Sequence, residues 1–187
     1  CIGLDKIMPK KNILSSKSFG KLITELEEIE EALANYTFRA CKKLRNQNSK
    51  AQGIYVFIKT NKHRMNDPQY RNSATKEFPY PSSDSSLIIK TAKLLLREIY
   101  QQGFKYQKCG IMLLDLVDSD YIQNNLFEKI PPQKKENLSS IIDTINQSTG
   151  NESIFYASQG IKRSWKMRCS KRSQRYTTQW KELVKAY

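Results

Sequence analysis

Residues 53–60 read GIYVFIKT, and their alternation decides the fold. Ile54, Val56 and Ile58 point one way while Tyr55, Phe57 and Lys59 point the other, the period-two pattern of a strand with one buried face. Toward the N-terminus, Leu22, Leu26, Ile29, Leu33, Tyr36, Ala40 and Leu44 step by threes and fours, which predicts an amphipathic helix with Thr24 as its N-cap. Glu25, Glu27, Glu28, Glu30 and Glu31 crowd its start and Arg39, Lys42, Lys43 and Arg45 its end, each sign matched to the helix dipole. A solvated charged surface accounts for these charges, and no function is assigned to them. Before this helix, residues 13–19 (ILSSKSF) predict a strand bounded by Pro9 and Gly20.

Beyond the central strand, residues 61–72 are polar, carry Pro68 and form a loop. Residues 73–78 (SATKEF) resume the sheet, and Pro79 and Pro81 end it. A second helix starts among residues 82–86, with Asp84 or a neighbouring serine as cap. It buries Ile88, Ala92, Leu95 and Ile99, and Gly103 closes it. Residues 106–117 give a mostly continuous apolar run, as a central covered strand requires. The order β-α-β-β-α-β makes an α+β fold, a four-stranded sheet with two helices on one face and the other face open. The pattern leaves the strand order undetermined.

After residue 117 the composition shifts. A third helix is expected over 137–147 with Leu138, Ile141, Ile142 and Ile145 on one side. Residues 161–187 hold nine Lys/Arg against Glu182 alone, more than half of the net charge of +14 that the 187-residue chain carries. With Lys+Arg 32 against Asp+Glu 18, the composition calls for a polyanionic partner, nucleic acid or an acidic membrane face. The apolar runs at 94–96 and 111–114 are far too short to span a bilayer. Cys1, Cys41, Cys109 and Cys169 are scattered and His63 is the single histidine, so a zinc cage is excluded and reduced thiols are expected. The chain opens on Cys1, not Met, and reads as a fragment of a longer protein.

The motifs point to binding and away from turnover. There is no GxxxxGK[ST], GxGxxG or HExxH. Asp115, Asp118 and Asp120 end the last strand but lack a second acidic strand for a two-metal site. Lys59, His63 and Arg64 can bind a phosphate. Lys17, Lys59 and Lys76, with the loop cations Lys62, Arg64 and Arg71, are placed to line the open face. Ser16, Ser18, Thr60, Asn72, Ser73 and Thr75 add the short donors that phosphate oxygens accept from.

The stretches SSKSFG (15–20), FIKT (57–60), MNDPQYRNSA (65–74) and YQKCGIML (106–113) resemble the C-terminal part of UmuC-type subunits of polymerase V, Y-family translesion DNA polymerases. QNNLF (123–127), DTIN (143–146), SQG (158–160), WKM (165–167) and RYTT (175–178) continue the likeness in the same order. The resemblance implies a tether at 1–11, a little finger domain at 12–118, a linker with a sliding-clamp peptide at 119–132 and a basic extension at 133–187. It implies double-stranded primer-template DNA as a partner, held by its backbone in the major groove without sequence specificity. Catalysis is not expected of this fragment; the polymerase carboxylates and their Mg2+ belong to an upstream palm, and no cofactor is expected here. Lys17 stands where the family commonly has Arg, exchanging a bidentate grip for a point charge.

QNNLF resembles the clamp-binding pentapeptide, with Gln123, Leu126 and Phe127 as its anchors and Asn124 in place of the usual Leu. The UmuD′ dimer and the RecA filament are implied as partners of the extension, and the bacterial cytoplasm and nucleoid as location, with no membrane. An RNA-recognition module is the alternative, since βαββαβ with bases also describes it. It needs aromatics on the third strand, where 73–78 has only Phe78, although Tyr55 and Phe57 sit on the second. A nuclease or nucleotidyl transferase is disfavoured by the missing carboxylates.

Overall fold

A computed structural model describes residues 10–120, 134–150, 153–167 and 173–183. The elements are β1 (Ile13–Ile23), α1 (Leu26–Asn46), β2 (Ser49–Thr60), β3 (Arg71–Ser82), α2 (Ser85–Ile99), β4 (Tyr106–Asp118) and α3 (Lys134–Ser148). The sheet is antiparallel throughout, in the order β1-β4-β2-β3. The α+β layering read from the sequence is the observed one, with α1 and α2 on one face. Among the described residues no helix is long and apolar enough to cross a membrane.

Register sorts the side chains. Ile54 lies between Leu113 and Lys76, Val56 between Ile111 and Ala74, and Ile58 between Cys109 and Asn72. Ile54, Val56, Ile58, Cys109, Ile111 and Leu113 are fully buried under Leu33, Ala40, Leu44, Ala92 and Leu96 of the two helices. Burial pushes the Cys41 thiol up to about 12 and raises that of Cys109 as well, so both free thiols are inert packing groups.

Several boundaries differ from expectation for physical reasons. β3 runs through Pro79 and Pro81 because it is an edge strand, where a missing N–H is tolerated. There the register slips between Ala51–Ser82 and Gly53–Glu77, so residues 78–81 bulge opposite Gln52. β1 continues past Gly20 to Ile23, with a second bulge between the pairs Ser18–Lys108 and Ile23–Tyr106. Leu22 therefore belongs to β1 and not to the helix. Glu25, and not Thr24, is the α1 N-cap, and the Thr24 hydroxyl donates to its carboxylate. Asp84 caps α2 by accepting from the Ser86 N–H, whereas α2 ends at Ile99, before Gly103. Gly103, at φ 95°, sits in the turn that follows.

The acids and bases of α1 are not merely solvated. Glu30 is buried, and Arg97 Nε at 2.6 Å and Lys93 Nζ at 2.7 Å join it to α2. Burial works to raise its carboxyl pKa, but the bonds from Arg97 and Lys93 outweigh that and hold it below the ordinary value. Arg45 donates to Asp143 of α3 at 2.6 Å and to the Ser83 carbonyl at 2.9 Å.

The described tail makes a further layer on the outer side of the helices. Ile142 and Tyr156 pack with Ala34, Phe38 and Ile89, and Asn35 Nδ2 donates to the Gln159 carbonyl at 2.6 Å. The inward side of α3 is Ser139, Ile142 and Asn146; Leu138, Ile141 and Ile145 stay exposed, against the single apolar stripe expected. The inward position at 139 is polar because its hydroxyl accepts the otherwise free N–H of Ser85 at the start of α2. Trp165 reaches the main core, edge-on to Tyr36 at 5.6 Å, and its carbonyl accepts from the Gly20 N–H at 3.0 Å. A Cβ at Gly20 would come within 2.5 Å of the Lys166 carbonyl, so glycine permits this approach.

Trp165→Ala should lower the unfolding free energy by about 3–5 kcal/mol in urea melts. Trp165→Phe should lose far less, since Trp165 Nε1 has no hydrogen-bond partner among the described residues. Equal, small effects would show that the tail does not share the core.

Candidate nucleic-acid interface

The face of the sheet away from the helices is built by the alternate residues of each strand. Lys59 lies directly opposite Lys108 on one side and Arg71 on the other, and Ser18 opposite Lys108. The result is a row, Ser18–Lys108–Lys59–Arg71, that crosses all four strands. Neighbouring strands are about 5 Å apart, so three cations stand side by side. Among the described residues none of the three has an ion-pair partner. Like charges directly opposite destabilise a sheet, and nothing among the described residues offsets this row.

The next row is Ser16–Gly110–Phe57–Ser73 and the one after it Leu14–Met112–Tyr55–Thr75. Gly53, Leu114 and Glu77 follow. The open face is thus cationic at one end and increasingly apolar toward the other, ending in an acid. Among the described residues, the contacts that hold the tail are made to α1, α2 and the Gly20 bulge, on the helix side of the sheet.

The structure brings together part of the predicted set. Ser16, Ser18, Lys59, Arg71, Ser73 and Thr75 share the open face. Lys17 lies opposite Cys109 and Lys76 opposite Ile54, so both stand on the helix-bearing side, exposed on edge strands. The physical reason is parity, since a strand residue one step out of phase faces the other way. Asn72 shares that side and donates to the Tyr70 hydroxyl at 3.0 Å. Thr60 is buried, and its hydroxyl donates to Gln69 Oε1 at 2.9 Å and accepts from the Tyr70 N–H at 3.0 Å, which braces the β2–β3 loop.

Lys62 and His63 are exposed on that loop and line, with Lys59, Arg71 and Gln69, a groove of 540 Å³ that extends the cationic end of the face. Arg64 is turned to Asp67 at 3.4 Å, and Lys105 reaches the same carboxylate at 3.1 Å. The bond from Lys105 chiefly holds the Asp67 carboxyl below its ordinary value. Gln123, Leu126 and Phe127 lie outside the described residues. Lys108 was missed by sequence reasoning, because its strand reads as one apolar run; period two counted back from Met112 through Gly110 finds it.

A family model described as "impB/mucB/samB family C-terminal domain" matches residues 10–126, and a "Domain of unknown function (DUF4113)" matches 136–186. Protein ImpB of Salmonella typhimurium is 35% identical over 98% of this chain and 43% of its own length. Protein UmuC of Salmonella typhimurium is 35% identical over 99% of this chain and 44% of its own. The chain therefore spans less than half the length of these curated relatives. The little finger domain of PolIV, solved in complex with the beta-clamp processivity factor, is 16% identical with a TM-score of 0.39, over 63% of this chain and 99% of that one.

Because the cation row is self-repelling, Lys108→Met should raise stability by a few tenths of a kcal/mol at low ionic strength. The gain should vanish in about 1 M salt, where the screening length is about 3 Å. Urea melts at two salt concentrations read this directly, and a destabilised variant would show that Lys108 is a packing residue.

Proposed function

The chain belongs to the impB/mucB/samB family, and from that premise we propose that its sheet grips the backbone of duplex primer-template DNA as part of an error-prone translesion polymerase. The observation that supports this most directly is the row Lys108–Lys59–Arg71. Three cations on adjacent strands, without ion-pair partners among the described residues and flanked by the hydroxyls of Ser16, Ser18, Ser73 and Thr75, match what phosphate oxygens accept from. Phosphate contacts position a protein without reading bases, so the grip is independent of sequence.

On this reading the chain binds and recruits, and polymerisation belongs to a palm outside it, with its Mg2+ held there. Lys62 extends the cationic end of the face, while Lys17 and Lys76 on the helix-bearing side and Arg64 on the loop add only to the long-range attraction that the net charge of +14 exerts on a polyanion. The peptide Gln123-Asn124-Asn125-Leu126-Phe127 recruits a sliding clamp by seating Leu126 and Phe127 in an apolar pocket. The basic extension is the part assigned to the UmuD′ dimer and the RecA filament, on resemblance alone, and the setting is the bacterial cytoplasm.

Reversing Lys59, Lys108 or Arg71 to Glu should weaken duplex binding alike across sequences. Each change should also reduce the slope of log affinity against log salt by about 0.9 for every phosphate that is no longer neutralised. Fluorescence anisotropy on unrelated duplexes tests this, and weakening confined to some sequences would refute backbone gripping. Leu126→Ala with Phe127→Ala should abolish clamp binding in a pull-down while leaving DNA affinity and the melting temperature as they were. A marked drop in melting temperature would place that pair in the core instead.

A further inference from the structure

We propose that the open face also holds unpaired DNA, stacking bases on Phe57 and Tyr55 while Lys59, Lys108 and Arg71 carry the phosphates. The inference rests on the duplex reading for its cation row and extends it to a second form of the same substrate. The two rings stand on the uncovered side of β2, each half-buried, with centroids 6.0 Å apart and planes 33° apart.

Phe57 sits over Gly110, where a Cβ would come within 2.7 Å of its ring and 2.3 Å of the Ser16 Cβ. Glycine at that point of β4 lets the ring settle onto the sheet beside the cations. Successive rows on one face are about 7 Å apart, close to the separation of a phosphate from its own base.

A duplex gains nothing from these rings, since its bases are already stacked on each other. An unpaired strand does gain, because each exposed base offers a π-face to an aromatic side chain, and a cationic groove beside aromatics is the general form of single-strand sites. The charge row selects a polyanion for this surface, and the apolar neighbours Leu14 and Met112 widen the platform for a base or sugar.

The test uses the full chain and labelled probes of about 12 nucleotides, within the usual site sizes for such folds. An oligo-thymidylate should bind at least about 5-fold tighter than an abasic phosphate chain of equal length, the equivalent of one stacked base. Tyr55→Leu with Phe57→Leu should erase that difference and leave duplex affinity and its salt slope unchanged. Equal binding of thymidylate and abasic chains by the unsubstituted protein overturns the proposal without need of any variant. Tighter binding of an oligo-uridylate overturns it too, by assigning the face to RNA. Thymidylate preference without duplex binding would remove the duplex reading and leave this one standing.

Discussion

Between β2 and β4 the side chains of Ile54 and Leu113, Val56 and Ile111, and Ile58 and Cys109 stand opposite one another, fully buried beneath α1 and α2. Everything else in the molecule is conditional on this register. A slip by one residue would expose every one of these groups and bury Lys59 and Lys108 instead. Hydrophobic burial on the helix side is therefore what sets the cations in line on the other. The functional face is the necessary complement of the core, in phase with it residue by residue.

The helices are held from behind as well as from the front. α1 is buried over most of its length, with the sheet beneath it, α2 beside it, and Ile142, Tyr156 and Gln159 above. Glu30 and Arg45 tie it to α2 and α3 through charged bonds made away from full solvent, where such bonds count for more than on an open surface. A platform fixed in this way can tolerate a self-repelling row of cations. The layer order places the described part of the tail against the helices, on the side opposite to the open face.

Strong periodicity made the elements legible: GIYVFIKT for β2, the Leu and Ile spacing for α1 and α2, Asp84 as a cap. What escaped was governed by neighbours distant in sequence. Pro79 and Pro81 read as stops because nothing in the chain announces that β3 is an edge. The inward side of α3 is chosen by the Ser85 N–H, 54 residues away, which Ser139 satisfies, so the apolar count along the helix misleads. Thr60 read as a phosphate donor because hydroxyls are equally suited to bracing a loop. Charge alone groups Lys17 and Lys76 with Lys59, although parity puts them on opposite sides of the sheet.

The sequence by itself determined the α+β layering, the one-sided covering of the sheet, the basic character of the chain and the family resemblance. These follow from local spacing and composition, which are properties of the chain before it folds. Tertiary structure alone decided the order β1-β4-β2-β3, and with it that Lys108, Lys59 and Arg71 become neighbours, that Gly110 lies beneath Phe57 and that the Trp165 carbonyl meets the Gly20 N–H. Each of those facts is a pairing between segments far apart in the chain, settled by which arrangement buries the most apolar surface with its backbone hydrogen bonds satisfied, and no local pattern encodes that comparison.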